Sequence, residues 1–401
     1  MTDLFWPGDH RPGDLMSDAT FLAAMLEVEN AWLSVLVEAR VAPAAADADL
    51  TTLVPVEDAE AVAAGAEADG SPVTGLVALL RERAGDQAGR WLHRGLTSQD
   101  VIDTALMLCL RDALARIHAE LSAQVRTLVK LIETHHRSPT LARTLTQPAL
   151  PTTLGAKMAN WLSGVLDAAG TLTAVSQLPV QVGGAAGTLA ATTELAGSPE
   201  AALGLSEAFA ARLGLAPATP WQTTRSAITR AGDALVGCCD AFGHIAADVA
   251  TGSRHEIGEL TEGQGGGSST MPHKSNPVLS VLIRRAALTA PPLGATLHTA
   301  SAASVDERSD GAWQAEWATL RTLGRRTVVA AAQASALLAG LQVNTKRAAS
   351  NLAAAGDVLA EQRTMAELAG RPAQSSYTGI ADHLVGSVLQ RARDFLKEAS
   401  A

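Results

Sequence analysis

A glycine-rich stretch at residues 263–277 has the residue types and the order most suited to chemistry. Its four glycines allow close approaches and backbone angles that other residues resist, and they leave N–H groups uncovered. Two adjacent hydroxyls, Ser268 and Ser269, are followed by the cation Lys274 and by Asn276 before a proline, a pair typical of a helix start. A helix N-terminus beside a lysine stabilises an anion, and a hydroxyl held there can act as a nucleophile or base. A flexible Gly-Ser linker is the alternative, but it does not account for the order Met-Pro-His-Lys-Ser-Asn.

A second group of polar residues precedes a long helical window. Thr97 and Ser98 stand where the helix is predicted to begin, and Asp100 takes the third helical position, as in a capping box. Two hydroxyls and the spare N–H groups of a first helical turn form a cradle for a carboxylate. Alternatively, the motif only starts the helix. His93, just upstream, is by itself more typical of a core or surface histidine.

Long helices are predicted to position both groups. The chain is rich in Ala and Leu, and apolar residues recur every three or four positions over long windows, which is typical of helices. The windows are Val101–His136, Thr152–Ser176, Arg225–Val249, Pro277–Ala302 and Ala312–Leu341. The first would be roughly 50 Å long, which favours an elongated bundle over a compact globule. Pro291 and Pro292 are expected to kink or break the fourth.

Shorter helical segments flank these windows. They are predicted at Asp18–Arg40, Val56–Ala66 and Ser71–Ala84 on one side, and at Asn344–Ala354, Val358–Ala369 and Thr378–Ala399 on the other. The sequence therefore predicts an all-α protein with three domains: a helical domain at 1–100, a central bundle of about five long helices at 101–342, and a small helical domain at 343–401.

The long windows carry apolar residues on both sides, more than two small domains can cover. We therefore expect the bundle to continue across subunits in a homo-oligomer. A monomeric bundle wrapped by its flanks is the alternative.

Composition argues against several classes of partner and site. The net charge is −10 without a run of basic residues, which argues against nucleic acid and anionic membranes. The chain start lacks a signal-peptide pattern, and no uninterrupted apolar stretch reaches the roughly 18 residues that span a bilayer, so a cytoplasmic protein is expected. The three cysteines suit neither a disulfide framework nor a metal site, and His244, His255 and His298 lack ligand spacing. No phosphate loop or dinucleotide fingerprint follows a predicted strand, so we expect neither a metal nor a cofactor.

Three motifs resemble the signatures of the fumarase/aspartase superfamily. Gly267–Asn276 is similar, without a gap, to the signature Gly-Ser-Ser-x-Met-Pro-x-Lys-x-Asn. Gly95–Thr104 resembles the first signature region, and Arg143–Gly155 resembles the second. The resemblance covers nearly the whole chain. It implies a cofactor-free enzyme for a small polycarboxylate, built as a homotetramer whose active sites draw residues from several chains.

Within the superfamily, several stretches look most like the 3-carboxy-cis,cis-muconate cycloisomerases. They are Gln181–Leu189, Pro220–Arg225 and the segment from Glu307 to Trp317. Leu145 and Pro148 stand where adenylosuccinate lyases are expected to carry histidines, which argues against that group.

The resemblance also implies a role for each candidate residue. Ser268 would act on the α-proton, Lys274 would stabilise the extra charge of an aci-carboxylate intermediate, and His93 would be a further catalytic residue in contact with substrate. The implied substrate-binding residues are Thr97, Ser98, Gln147, Ser269, Asn276 and Arg308. The implied reaction converts 3-carboxy-cis,cis-muconate to carboxymuconolactone in protocatechuate breakdown. The alternatives are a β-elimination that releases fumarate from a succinyl compound and an inactive helical scaffold.

Overall fold

The computed structural model describes residues 3–267, 269–271 and 274–398 and is all-α, as predicted. The helices are α1 Asp18–Glu38, α2 Ala59–Asp69, α3 Val73–Arg83, α4 Gly85–Trp91, α5 Ser98–His135, α6 Leu154–Ala174, α7 Ala190–Ala196, α8 Pro199–Leu213, α9 Ser226–Gly252, α10 Val278–Ala302, α11 Ala312–Gly340, α12 Thr345–Ala354, α13 Ala360–Leu368 and α14 Ala381–Glu398. Four short strands complete it: β1 Pro139–Thr144, β2 Gln147–Thr153, β3 Leu260–Thr261 and β4 Gln342–Val343.

The five long helices lie where the hydrophobic periodicity predicts them. Helices α5, α6, α9, α10 and α11 begin and end within three residues of the predicted windows. Along α5, the apolar residues at helical spacing from Ile102 to Ile132 are all at most 5% exposed. The flanking helices α1 to α3 and α12 to α14 also lie at predicted segments, whereas α4, α7 and α8 were not predicted. Periodicity therefore identifies the helices that bury an apolar stripe.

Helix α10 continues through its two prolines. Pro291 and Pro292 both lie inside Val278–Ala302, so of the two expected effects, a kink or a break, the break does not occur. The side chains of Ala290 and Leu297, on either side, are at most 3% exposed. Packing of the flanking turns therefore outweighs the loss of two N–H donors.

The antiparallel hairpin β1–β2 was not expected from the sequence. Its register pairs Pro139 with Thr153 and Thr144 with Gln147. The connecting residues Leu145 and Thr146 have φ angles of 48° and 71°. A two-residue turn with positive φ at both positions normally carries Asn-Gly, so Leu-Thr gives no turn signal.

The chain divides into two compact units. The first comprises Met1–Arg116, Thr173–Leu235 and Pro291–Arg326, and the second comprises Ile117–Leu172, Val236–Ala290 and Thr327–Ala401. The first unit includes α1 to α4, α7 and α8, whereas the second includes the strand pairs β1–β2 and β3–β4 together with α12 to α14. The predicted three-domain division stays a prediction.

Two helices among the described residues have the length and hydropathy of a membrane span, Asp18–Glu38 and Ser226–Gly252. Of their apolar windows, 61% and 44% are buried inside the protein. Core helices pass the same test, so this finding is weak evidence for a membrane protein.

Candidate active site

The start of α5 brings Thr97 and Arg308 together in the first unit. The N–H of Thr97 donates to Oδ2 of Asp100 at 2.9 Å, which is the carboxylate half of the predicted capping box. The hydroxyl of Thr97 accepts a hydrogen bond from Nη2 of Arg308. Ser98, the first helical residue, is partly exposed beside it. A guanidinium, two hydroxyls and the first turn of a helix form a combination that binds carboxylates.

Asp100 ties this helix start to the loop that follows α6. Its Oδ1 accepts hydrogen bonds from the N–H of Gly183 at 2.9 Å and from Nε2 of Gln181 at 3.2 Å, and its Oδ2 accepts one from the N–H of Gly184 at 3.0 Å. Burial raises the pKa of Asp100 to about 7, although the N–H donors, including that of Thr97, lower it. The buried carboxyl group therefore fixes two backbone segments against each other.

Stability is expected to depend on pH through Asp100. The folded state keeps the proton of this carboxyl group up to about pH 7, whereas an unfolded chain loses it near pH 4. The free energy of unfolding should therefore fall as the pH rises from about 4 to about 7 and level off above that. Denaturant unfolding of the wild type and of Asp100→Asn, which cannot ionise, isolates this contribution. If the wild type instead gains stability relative to Asp100→Asn over that range, the N–H donors rather than burial control the pKa.

A buried arginine joins α5 and α11 in the same unit. Nη1 of Arg225 lies 2.7 Å from Oδ2 of Asp103, and Nη2 lies 2.6 Å from Oε2 of Glu316, with all three side chains at most 1% exposed. Burial alone would lower the pKa of Arg225, but the two carboxylates raise it, and burial raises the pKa of Glu316. Trp313 Nε1 and Gln99 Nε2 also donate to Asp103, at 2.9 and 3.2 Å. The cluster therefore extends to the first turn of α5.

His93 lies against α1. Its Nδ1 is 2.6 Å from Oε1 of Glu29, whose side chain is completely buried, and its own side chain is 17% exposed. The next residue, Arg94, accepts a hydrogen bond on its carbonyl from Trp32 Nε1 at 2.7 Å. Helix α1 therefore holds the segment that leads into the Thr97 cradle.

The glycine-rich stretch folds back on itself in the second unit. Gly266 and Asn276 exchange two backbone hydrogen bonds, with N···O distances of 2.9 and 2.8 Å. A Cβ atom on Gly266 would lie 2.2 Å from Cγ2 of Val278, and one on Gly263 would lie 2.5 Å from the carbonyl oxygen of Gly340. These two glycines are therefore required by close packing.

Lys274 and Ser269 are exposed in this stretch, and Asn276 is partly exposed. Ser268 lies outside the described residues, so its predicted role stays a prediction.

The first turn of α10 already binds a carboxylate. Glu262, which is 8% exposed, accepts hydrogen bonds from the N–H groups of Ser280 at 2.7 Å and of Leu279 at 3.1 Å. The amide of Asn276, which the sequence predicted to cap this helix, donates instead to the carbonyl of Gly267 at 3.4 Å. That expectation was wrong, because a carboxylate is a stronger partner for a helix N-terminus than a side-chain amide. These N–H groups are therefore not available to a substrate anion.

The second signature region forms the β1–β2 hairpin. Arg143 donates to Glu259 through Nη2 at 2.6 Å and through Nη1 at 3.2 Å. Although burial raises the pKa of Glu259, Arg143 and Asn351 hold it below its ordinary value. Gln147 is exposed at the start of β2, next to the turn whose Leu145 is 96% exposed. The arginine therefore has a structural partner, whereas the glutamine remains accessible.

The candidate residues fall into two groups, one in each unit. The first unit contains His93, Thr97, Ser98 and Arg308, and the second contains Gln147, Ser269, Lys274 and Asn276. Clusters of three or more His, Cys, Asp or Glu side chains that could hold a metal are absent from the described residues. The site neighbours Glu29, Glu262 and Glu316 were not predicted, because a single acidic residue carries no local signal. Asp100 was singled out through its capping-box spacing.

Comparison with known proteins gives one consistent result. The sequence model of a family described as Lyase matches residues 22–291. The chain is 42% identical over 365 residues to a nitrosuccinate lyase of Streptomyces davaonensis, covering 88% of this chain and 77% of that protein. It is 38% identical over 387 residues to a 3-carboxy-cis,cis-muconate cycloisomerase of Bradyrhizobium diazoefficiens, covering 94% and 83%. The crystal structure of the 3-carboxy-cis,cis-muconate lactonizing enzyme from Pseudomonas putida matches with a TM-score of 0.83 and 29% identity, covering 95% of this chain and 96% of that one.

Proposed function

Because the chain belongs to the Lyase family, and with it to the enzymes of the fumarase/aspartase superfamily, we propose that it is a cofactor-free cycloisomerase that converts 3-carboxy-cis,cis-muconate to carboxymuconolactone. The observation that carries the proposal is similarity to such cycloisomerases, in sequence and in fold, over nearly the whole chain. In this reaction a substrate carboxylate attacks the alkene, so that a C–O and a C–H bond form and the π bond is lost. The intermediate carries extra negative charge, which fixed donors must stabilise.

The proposed roles follow the two groups of residues. Thr97, Ser98 and Arg308 bind one substrate carboxylate, which the contact between Arg308 and the Thr97 hydroxyl supports. His93 contacts a second carboxylate, and Lys274 stabilises the charge of the intermediate while Ser268 delivers the α-proton. Gln147, Ser269 and Asn276 complete the proposed substrate-binding set.

A direct assay tests the proposed reaction. Ring closure removes the conjugated diene, so purified enzyme is expected to abolish the ultraviolet absorbance of 3-carboxy-cis,cis-muconate, with the lactone identified by NMR. No loss of absorbance at micromolar enzyme would exclude the cycloisomerase.

A β-elimination is the second candidate, favoured by the similarity to a nitrosuccinate lyase. Here the α-carbon would lose a proton and the adjacent C–N bond would break, so nitrosuccinate would give fumarate and nitrite. Measuring fumarate and nitrite beside the muconate assay separates the two reactions. An inactive scaffold would turn over neither compound.

We also propose a cytoplasmic homotetramer in which each active site draws residues from several chains. The exposed apolar side chains of α10 support this proposal, because a bundle shared between subunits would cover Val281 and Leu288, which are 55% and 75% exposed. Sedimentation velocity at micromolar concentration is expected to give one species of four chains. A monomer would exclude shared sites.

Lys274→Met is expected to lower kcat/KM by about 10²-fold to 10³-fold, because a charged donor to the intermediate is lost. The matched control is Lys346→Met, which removes an exposed lysine at the start of α12 in the same unit and should leave the rate unchanged. Equal kcat/KM values for Lys274→Met and the wild type would rule out the assigned role.

A further inference from the structure

Helix α1 holds the residues before α5 through two side chains one turn apart. Glu29 Oε1 lies 2.6 Å from Nδ1 of His93, and Trp32 Nε1 donates to the carbonyl of Arg94 at 2.7 Å. His93 has a φ of 59°, in the left-handed region that a non-glycine residue rarely adopts. A backbone conformation of this kind persists only where neighbouring groups enforce it, and such positions cluster at functional sites.

In the described part of the chain, His93 is the side chain that pairs with Glu29. Its residue exposure is 1%, and its second oxygen, Oε2, is buried without a hydrogen-bond partner there. A buried carboxylate with one unsatisfied oxygen is costly unless it faces a cation. The imidazole of His93 is therefore the group that the carboxylate holds in place.

The other charged groups near this segment have hydrogen-bond partners of their own. Arg81 Nη2 donates to the carbonyl of Leu92 at 3.0 Å, and Arg94 Nε donates to the carbonyl of Arg90 at 2.8 Å. Farther along, Asp100 accepts from the N–H of Thr97, and Arg308 binds the Thr97 hydroxyl. Among the described residues, Glu29 is thus the charged side chain hydrogen-bonded to the imidazole itself.

We propose that Glu29 is a positioning residue that keeps a proton on Nδ1 of His93 and presents Nε2 to a substrate carboxylate. A carboxylate has only acceptors, so an imidazole between Glu29 and a substrate carboxylate donates from both nitrogens. His93 is therefore a cation in the complex, so ligand binding takes up a proton wherever the imidazole of the free enzyme is neutral. This inference rests on the proposed polycarboxylate substrate.

The test uses tricarballylate, an unreactive tricarboxylate, so that no turnover is needed. Isothermal titration at about pH 8, in buffers of different ionisation enthalpy, counts protons taken up per site. We expect the wild type to take up close to one proton per site, and His93→Gln and Glu29→Gln to take up almost none. Affinity should fall by about tenfold to hundredfold in Glu29→Gln, since a charge-assisted hydrogen bond is lost. Wild-type proton uptake in Glu29→Gln would overturn the proposal.

Trp32→Phe is the control for loosening of the same segment. It removes the hydrogen bond to Arg94 but leaves the charge of Glu29, so affinity should fall slightly while proton uptake persists.

Nitrogen-15 NMR of His93 in the free enzyme separates this inference from the proposed function. If tricarballylate does not bind, the proposed substrate class is wrong. The positioning role is still supported if Nδ1 of His93 carries a proton in the wild type and loses it in Glu29→Gln. An unprotonated Nδ1 in the wild type would refute that role.

Discussion

Ser268→Ala is expected to lower kcat by about 10³-fold or more while leaving ligand binding and assembly intact. A serine hydroxyl is a poor acid or base in water, so it exchanges a proton with carbon only where donors surround its oxygen and water is excluded. Gly266 and Asn276, which flank Ser268 in sequence, exchange two backbone hydrogen bonds, and Lys274 lies between the same two residues in sequence. Steady-state kinetics on the confirmed substrate, with tricarballylate affinity measured alongside, check the prediction.

Ser269→Ala is the matched control, since it removes the neighbouring hydroxyl from the same stretch. We expect a smaller loss of rate, because this hydroxyl is assigned only to binding. If both hydroxyls merely stabilise the local fold, either change would cost about 1 kcal/mol of stability and little rate. Should Ser268→Ala keep most of its activity, the proton is handled elsewhere, and His93 is the next residue to replace.

The long helices were predictable because one physical signal dominates them. Apolar residues at a period near 3.6 over more than 20 positions have few interpretations other than a helix that buries one face. The buried stripe from Ile102 to Ile132 on α5 is an example. At Pro291 and Pro292, where a kink or a break was expected, the helix does not break, because packing overrides the local rule.

Features that depend on distant contacts were not predictable. The β1–β2 hairpin turns at Leu145 and Thr146, which lack turn chemistry, so the pairing of its strands determines the conformation. Glu262 lies 18 positions from the N–H of Ser280 that it caps, beyond any capping rule. Sequence spacing therefore identifies caps that are local, such as Thr97 with Asp100, and misses those made by a remote side chain.

The candidate site shows the same division. Motif residues such as Thr97 and Lys274 were identified by type and order, because hydroxyls, cations and glycines in a fixed sequence suit anion chemistry. The residues that hold them in place lie far away in sequence. Glu29 is 64 residues from His93, and Arg225 is 122 residues from its partner Asp103 on α5. A single sequence contains no signal for such pairs.

Arg225→Met is expected to destabilise the protein by about 3–5 kcal/mol, or to prevent folding. The change leaves Asp103 and Glu316 buried without their shared cation, and the side chains of both are at most 1% exposed. Denaturant unfolding measures the loss.

The matched control is Arg212→Met, which breaks an ion pair with Glu38 in the same unit. The side chains of Arg212 and Glu38 are 37% and 65% exposed, so breaking this pair should cost under about 1 kcal/mol.

Adding Asp103→Asn and Glu316→Gln to Arg225→Met removes both unpaired buried charges and should restore part of the stability. If Arg225→Met is as stable as Arg212→Met, water or a rearranged side chain replaces the arginine as the partner of Asp103 and Glu316. The cluster then does not stabilise the packing of α5. If the triple variant folds but stays slow on the confirmed substrate, the cluster also positions the first turn of α5, to which Gln99 links Asp103.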